Sequence, residues 1–243
     1  MNTLTIDDRA DRMVVTLHRP QQRNAINAEM ISELHQVCAL LEDTAKPLLI
    51  SGSGDHFAGG ADIAELRERG RDEALAGINR NLFDRVARLP MPTVAAVSGF
   101  ALGGGAELSY ACDIRVATDT AVFGNPEPGL GIMAAAGASY RLPELVGTSI
   151  AKQVLLAGRN LDAAAALRCG LVIGVVSPGE HVAAAHDIVD RINRSAPLAL
   201  RLSKLIADAP GSHPFADDIA QAVLFESRDK HDRMTAFLEK KKK

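Results

Sequence analysis

The stretch Thr93-Val94-Ala95-Ala96-Val97-Ser98-Gly99-Phe100-Ala101-Leu102-Gly103-Gly104-Gly105-Ala106-Glu107 decides how the rest of the chain is read. Its first five residues are uncharged and rich in β-branched and small apolar side chains, the pattern of a buried strand. A glycine run follows, and Ala106 to Ala111 has helical composition. Three consecutive glycines cost backbone entropy, so Gly103 to Gly105 need a reason. One reason is that glycine lets a ligand approach main-chain N–H groups at a helix N-terminus, where free donors and the macrodipole favour developing negative charge. Glu107 would then stand in the first turn, beside the ligand. The other is tight packing of helix on strand, with Glu107 as a capping residue.

Working outward, further short apolar runs occur at Met13 to Leu17, Leu48 to Ile50, Ile114 to Ala117 and Val172 to Val176, separated by amphipathic stretches. Strands alternating with helices predict a mainly parallel α/β architecture. Between the first two runs, Ile31, Leu34, Cys38 and Leu41 share one helical stripe, with Asn27 placed as N-cap and Glu29 in the first turn. Ser177-Pro178-Gly179-Glu180 reads as a capping box with proline at the first helical position, opening a helix towards Arg194. Pro197 and Pro210 divide the remainder into helices. The expected organisation is an α/β core over residues 1–196 and a helical region over residues 197–243.

Two further stretches carry chemical groups. His56-Phe57-Ala58-Gly59-Gly60-Ala61-Asp62-Ile63-Ala64-Glu65-Leu66 also follows a strand, passes through glycines and opens a helix. Two such junctions place two N–H donors near one edge of a parallel sheet, where ligands of such folds bind, and a converging pair is what an oxyanion hole requires. In Phe123-Gly124-Asn125-Pro126-Glu127-Pro128-Gly129, two prolines stiffen the loop that holds Glu127. If Glu107 and Glu127 meet, burial and repulsion push their pKa values apart, giving one donor and one acceptor; otherwise Glu127 is an exposed turn residue. Gly129-Leu130-Gly131-Ile132-Met133-Ala134 matches a dinucleotide fingerprint in letters only, since no acidic residue follows about 20 positions on. Ala134 to Ala138 reads instead as a small-residue helix packed against its neighbours.

Composition removes other classes of function. Apolar residues make up 47% and charged residues 23%, a soluble globular balance, and a net charge of −3 offers no field for nucleic acid or an anionic membrane. The lysines Lys240 to Lys243 are too short a tail to reverse that. Cys38, Cys112 and Cys169 are widely and irregularly spaced, and the seven histidines form no ligand pattern, so neither disulfides nor a metal site are expected. With no apolar leader at Met1 to Asp11 and no long apolar run, a cytoplasmic protein is expected.

Taken in order, the three glutamate- and glycine-bearing stretches, together with Arg19-Pro20-Gln21-Gln22-Arg23-Asn24-Ala25 and Arg228 to Glu239, resemble the enoyl-CoA hydratase/isomerase (crotonase) family over nearly the whole chain. The resemblance implies a spiral of ββα units followed by a helical region that builds homotrimers, often paired into homohexamers. It implies an oxyanion hole from the backbone N–H groups of Ala61 and Gly104, and Glu107 and Glu127 as the two acids that add water across a trans-2-enoyl-CoA. Arg23, Ala25, Asp62, Ile63 and Ala64 would line the CoA site together with Ala61 and Gly104, while Phe237 and Lys240 would approach CoA from a neighbouring subunit. Coenzyme A is then part of the substrate, and no other cofactor is implied. The alternatives are a Δ3,Δ2-enoyl-CoA isomerase, which needs only the acid at Glu127, or a non-catalytic acyl-CoA-binding homologue. The chain departs from the family pattern at Met133 to Ala138, where a Pro-Gly-Ala-Gly-Gly type segment is usual, and at Ala64, where a lysine is common. The charged segment from Arg67 to Arg85 is expected to cover the acyl pocket.

Overall fold

The computed structural model describes residues 1–240, so Lys241 to Lys243 of the basic tail lie outside the described residues. The strands are β1 (Leu4–Asp8), β2 (Met13–Leu17), β3 (Leu48–Gly52), β4 (Thr93–Val97), β5 (Phe100–Leu102), β6 (Ile114–Thr118), β7 (Val122–Gly124), β8 (Leu161–Asp162) and β9 (Val175–Val176). The helices are α1 (Ala28–Asp43), α2 (Ile63–Glu68), α3 (Arg71–Ala76), α4 (Ile78–Ala87), α5 (Gly104–Ala111), α6 (Ala138–Val146), α7 (Thr148–Ala157), α8 (Ala163–Arg168), α9 (His181–Asn193), α10 (Pro197–Ala207), α11 (Phe215–Phe225) and α12 (Arg228–Lys240). One sheet runs β1-β2-β3-β4-β6-β9, parallel throughout except for the antiparallel β1–β2 pair. A second, smaller sheet runs β5-β7-β8.

The period-2 geometry of the large sheet divides its apolar side chains between two faces. Val15, Ile50, Ala95 and Val97 face the main core, where α1 and α4 contribute Leu34, Cys38, Leu82 and Phe83. Val14, Leu49, Val94 and Ala96 face the opposite side and are covered by Ala185, Ile188 and Val189 of α9. Burial on both faces is why these strands carry continuous apolar runs. Asn27 caps α1 as expected, its side chain accepting from the Met30 amide at 3.0 Å.

Three expectations need correction. Strand β1 lies within Met1 to Asp11, where the sequence predicts no strand, because an edge strand tolerates the exposed Asp7 and Asp8 that blunt it against further pairing. The Val172 to Val176 run reduces to β9, since the Leu171 carbonyl is taken by the Arg115 guanidinium at 2.7 Å and Val172 turns into the core. Helix α9 starts at His181 rather than after Ser177, because Pro178 and Gly179, the latter at φ +89°, form a β-turn instead of a first helical turn. Glu180 still reaches back to the Ser177 amide, at 3.2 Å.

The last three helices bury none of their described side chains. Lys204 fixes α10 to the body through Asp113 at 2.7 Å and the Met91 carbonyl at 3.3 Å.

Candidate active site

The site forms where the smaller sheet releases its chain. Strands β5 and β7 pair in parallel with Leu102 opposite Gly124, so both end at the same edge. The Gly103 amide extends that pairing by donating to the Gly124 carbonyl at 2.8 Å. Beyond this point one chain enters α5 and the other enters the 3₁₀ turn Glu127–Leu130. Gly103 turns the corner at φ +49°, a left-handed conformation that favours glycine, and a methyl there would stand 3.1 Å from Glu127 Oε1. The corner therefore sets Glu127 against the start of α5.

The second approach comes from the segment before α2. Ile26 and Ala61 form a parallel bridge in which the Ile26 amide donates to Gly60 O at 2.8 Å and the Asp62 amide donates to Ile26 O at 2.9 Å. Such a bridge points the N–H of Ala61 itself away from Ile26. A methyl built on Gly104 would lie 3.4 Å from that nitrogen. Among the described residues, the amides of Ala61 and Gly104 have no hydrogen-bond acceptor, and both residues line one cavity of about 710 Å³.

Glu107 and Glu127 line the same cavity. Glu107 is 3% exposed, and its Oε1 accepts from the amides of Ala136 at 2.8 Å and Ala138 at 3.1 Å. Burial pushes its pKa up to about 7, with the charge of Glu127 adding to the rise and the two amides and Arg141 opposing it. Glu127 is 8% exposed, and burial raises its pKa as well. Its Oε2 has no partner among the described residues. The site thus holds two carboxyl groups that each favour protonation more than a solvated carboxyl does.

The segment Ala134 to Gly137 is not helical; α6 begins only at Ala138. Gly137, at φ +140°, breaks the backbone so that the amides on either side of it both face Glu107. A contiguous small-residue run gave no signal for this, since backbone donors carry no side-chain letter. The segment Arg67 to Arg85 runs through α2, α3 and α4 and, with Leu66 just before it, places Arg69, Ala74, Ile78 and Asn79 on the cavity wall.

The residues expected at the CoA site fall into two sets. Arg23, Ala25, Asp62, Ile63 and Ala64 form a ledge beside Ala61, outside the cavity lining. The ledge is fixed by Arg19, whose guanidinium donates to the Ala25 carbonyl at 2.6 Å and to Asp62 at 3.1 Å. Beneath it, the fully buried Asn24 side chain accepts from the Arg19 amide at 2.9 Å and donates to the carbonyls of Ser53 at 2.9 Å and His56 at 2.7 Å. Arg23, Ile63 and Ala64 are exposed. Phe237 and Lys240 lie on α12, exposed and outside the cavity lining, so one copy of the chain does not bring them to the site.

A mainly parallel sheet with a second small sheet, and two unspent amides with two buried carboxyls around one cavity, define a crotonase-type α/β protein. Solved structures of this fold superpose closely: an enoyl-CoA hydratase from Bacillus anthracis has a TM-score of 0.92 at 29% identity, covering 98% of this chain and 96% of that one. Pseudomonas aeruginosa DspI has a TM-score of 0.93 at 30% identity, covering 99% and 95%. The family model described as enoyl-CoA hydratase/isomerase matches residues 9–243, and the chain belongs to that family. It is similar to the short-chain-enoyl-CoA hydratase of Clostridium acetobutylicum, 38% identical over all of this chain and 97% of the relative. The crotonyl-CoA hydratase of Syntrophomonas wolfei is 40% identical over 94% of this chain and 92% of its own length. Hydratases are hydro-lyases.

Proposed function

We propose that this enzyme adds water across the C2=C3 bond of a short trans-2-enoyl-CoA to give the 3-hydroxyacyl-CoA. The observation that carries this reading is the presence of Glu107, Glu127 and the free amides of Ala61 and Gly104 around one cavity. The thioester carbonyl accepts from the two amides. Charge that develops on its oxygen as C3 is attacked is stabilised there, each such donor being worth roughly 2.7–4 kcal/mol. Glu107, held by the Ala136 and Ala138 amides, takes a proton from the water whose oxygen bonds to C3. Glu127 gives its proton to C2, and the proton gained by Glu107 is returned through solvent. General acid–base help of this kind contributes on the order of 10²–10⁴ in rate. The addition is redox-neutral, and the two glutamates and two amides supply each proton transfer and charge contact it requires. CoA enters as part of the substrate, along the ledge of Arg23, Ala25, Asp62, Ile63 and Ala64.

The exposed C-terminal helices support a homo-oligomeric assembly. Leu205, Phe215, Ile219 and Leu238 are each more than half exposed, and a homotrimer or homohexamer built through these helices would cover them. In that assembly Phe237 and Lys240 reach the CoA of a neighbouring copy. The expected location is the cytoplasm; no helix among the described residues is long and apolar enough to cross a membrane.

Loss of the conjugated-thioester absorbance of crotonyl-CoA tests the activity directly. Turnover that collapses in Glu107→Gln supports the reading. Movement of the double bond of a 3-enoyl-CoA without hydration would assign an isomerase, and affinity without turnover a binder.

A further inference from the structure

One wall of the cavity carries a side-chain amide whose donors are unspent. Asn79 stands in the first turn of α4 and lines the cavity together with Ala61 and Gly104. Its Oδ1 accepts from Arg69 Nη1 at 2.7 Å, while its Nδ2 has no acceptor among the described residues. A guanidinium can only donate, so the atom that meets Arg69 is the amide oxygen and the other end of the group is the donor. That donor end lies beside the two backbone amides: a methyl built on Gly104 would stand 3.4 Å from the Ala61 nitrogen and 3.8 Å from Asn79 Nδ2. Nitrogen donors from Ala61, Gly104 and Asn79 therefore border one small space.

Arg69 both fixes this donor end and strengthens it. Its side chain is 17% exposed, and its one ion-pair contact among the described residues is Glu65 Oε2 at 4.0 Å, the outer limit for such a pair. The guanidinium is thus engaged mainly with the Asn79 oxygen. A charged donor holds that oxygen more firmly than a neutral one, and because hydrogen bonds in a chain polarise one another, electron withdrawal through Oδ1 makes the Nδ2 hydrogens better donors. The other polar side chains of the same wall are placed differently. Glu73 accepts from the Gly70 amide at 2.9 Å within its own turn, and Arg80 is exposed and reaches only Asn81, at 3.5 Å.

We propose that Asn79 is a third donor to the thioester carbonyl oxygen, and that Arg69 is the positioning residue that turns Nδ2 towards it. This rests on the hydratase reading for its catalytic consequence. Ala61 and Gly104 hold the oxygen from backbone, and the side-chain amide adds a contact from α4, so that charge gathering on the oxygen as water attacks C3 is shared among three N–H donors. Such a donor gains strength as the acceptor becomes charged, so its interaction is larger in the transition state than in the bound substrate. Its loss is therefore felt in kcat more than in KM.

Two measurements test this, one independent of turnover. Binding of para-dimethylaminocinnamoyl-CoA, a chromophoric enoyl thioester, to the full-length protein reads polarisation of the carbonyl as a red shift of the absorption band. In Asn79→Leu that shift is expected to shrink by about a third, one donor of three being lost. In kinetics on crotonyl-CoA, kcat is expected to fall about tenfold with KM within about twofold, a smaller loss than for a backbone donor because two donors remain. Asn79→Asp keeps the size of the side chain and the contact with Arg69 but offers acceptors in place of donors, so shift and kcat fall at least as far as in Asn79→Leu. A purely structural role would make this near-isostere the milder change. Arg69→Met shrinks the shift by less than Asn79→Leu, since Nδ2 is retained but no longer aimed, and Arg69→Lys recovers part of the difference. A wild-type shift in Asn79→Leu overturns the proposal; should that variant not fold, a wild-type shift in Asn79→Asp does so. A wild-type protein that shifts the chromophore yet fails to hydrate crotonyl-CoA sinks the hydratase reading and leaves the donor assignment standing.

Discussion

Adding one methyl at Gly104 and one at Gly105 is expected to have opposite effects on stability and the same effect on rate. A methyl at Gly105 would lie 2.2 Å from the Ala58 carbonyl oxygen and 2.7 Å from the Ala58 side chain. That carbonyl cannot give way, because it accepts from the Leu102 amide at 3.1 Å and sits in fully buried backbone. Helix α5 must therefore back off by close to 1 Å, a displacement that costs on the order of 10²-fold in rate when it moves a catalytic donor. The strain of such overpacking is typically about 1–3 kcal/mol, or roughly 2–12 °C in Tm for a chain of this size. At Gly104 the added methyl meets the Ala61 nitrogen at 3.4 Å and Asn79 Nδ2 at 3.8 Å, ordinary contacts. Replacing a glycine by alanine at a helical position without strain stabilises by about 0.4–1 kcal/mol, so Gly104→Ala should melt at or above the wild-type temperature. Its methyl nevertheless stands over the gap between the two amides, and the loss of one hole donor is expected to lower kcat by about 10²–10³. Thermal melting and crotonyl-CoA hydration on the two variants are the assays. A Gly104→Ala protein with wild-type turnover would refute the two-amide hole, and a Gly105→Ala protein with wild-type Tm would refute the packing argument.

Other expectations follow from the same geometry. Glu107→Gln and Glu127→Gln should each lower kcat by about 10²–10⁴ with far smaller changes in KM; near-normal turnover in either removes that residue from the mechanism. With Glu107 as the base and burial pushing its pKa up to about 7, hydration is expected to fall as pH drops below that value, which a kcat–pH profile reads. The linkage sign is the reverse for stability: a carboxyl whose folded pKa is raised from 4.5 to about 7 stabilises below 4.5 and loses that contribution as pH rises to about 7. Glu107→Gln should therefore gain stability over wild type at pH 8 and not at pH 4, measured by chemical denaturation at both. Asn24→Ala should destabilise by roughly 2–4 kcal/mol, since it strands the Ser53 and His56 carbonyls and leaves alanine at φ +56°; a Tm within 2 °C of wild type would contradict that.

The large sheet was legible because its strands are buried on both faces, so Thr93 to Val97 and Leu48 to Ile50 announce themselves without alternation. Strand β1 was not, because an edge strand draws its stability from one partner and one face, and Leu4 and Ile6 are too few to stand out among Asp7 and Asp8. The two carboxylates were visible as letters, but their meeting depends on the β5–β7 register, a long-range fact that no local window contains. The least legible part is the support around them. The Ala136 and Ala138 amides act through backbone, and Gly137 marks the break only to a reader who already knows where Glu107 points. What sequence cannot supply is the division of labour between the two acids. Two backbone donors already hold one oxygen of Glu107, favouring it as the ionised base, whereas one oxygen of Glu127 is buried without a partner among the described residues, the arrangement suited to a group that holds a proton first and surrenders it second.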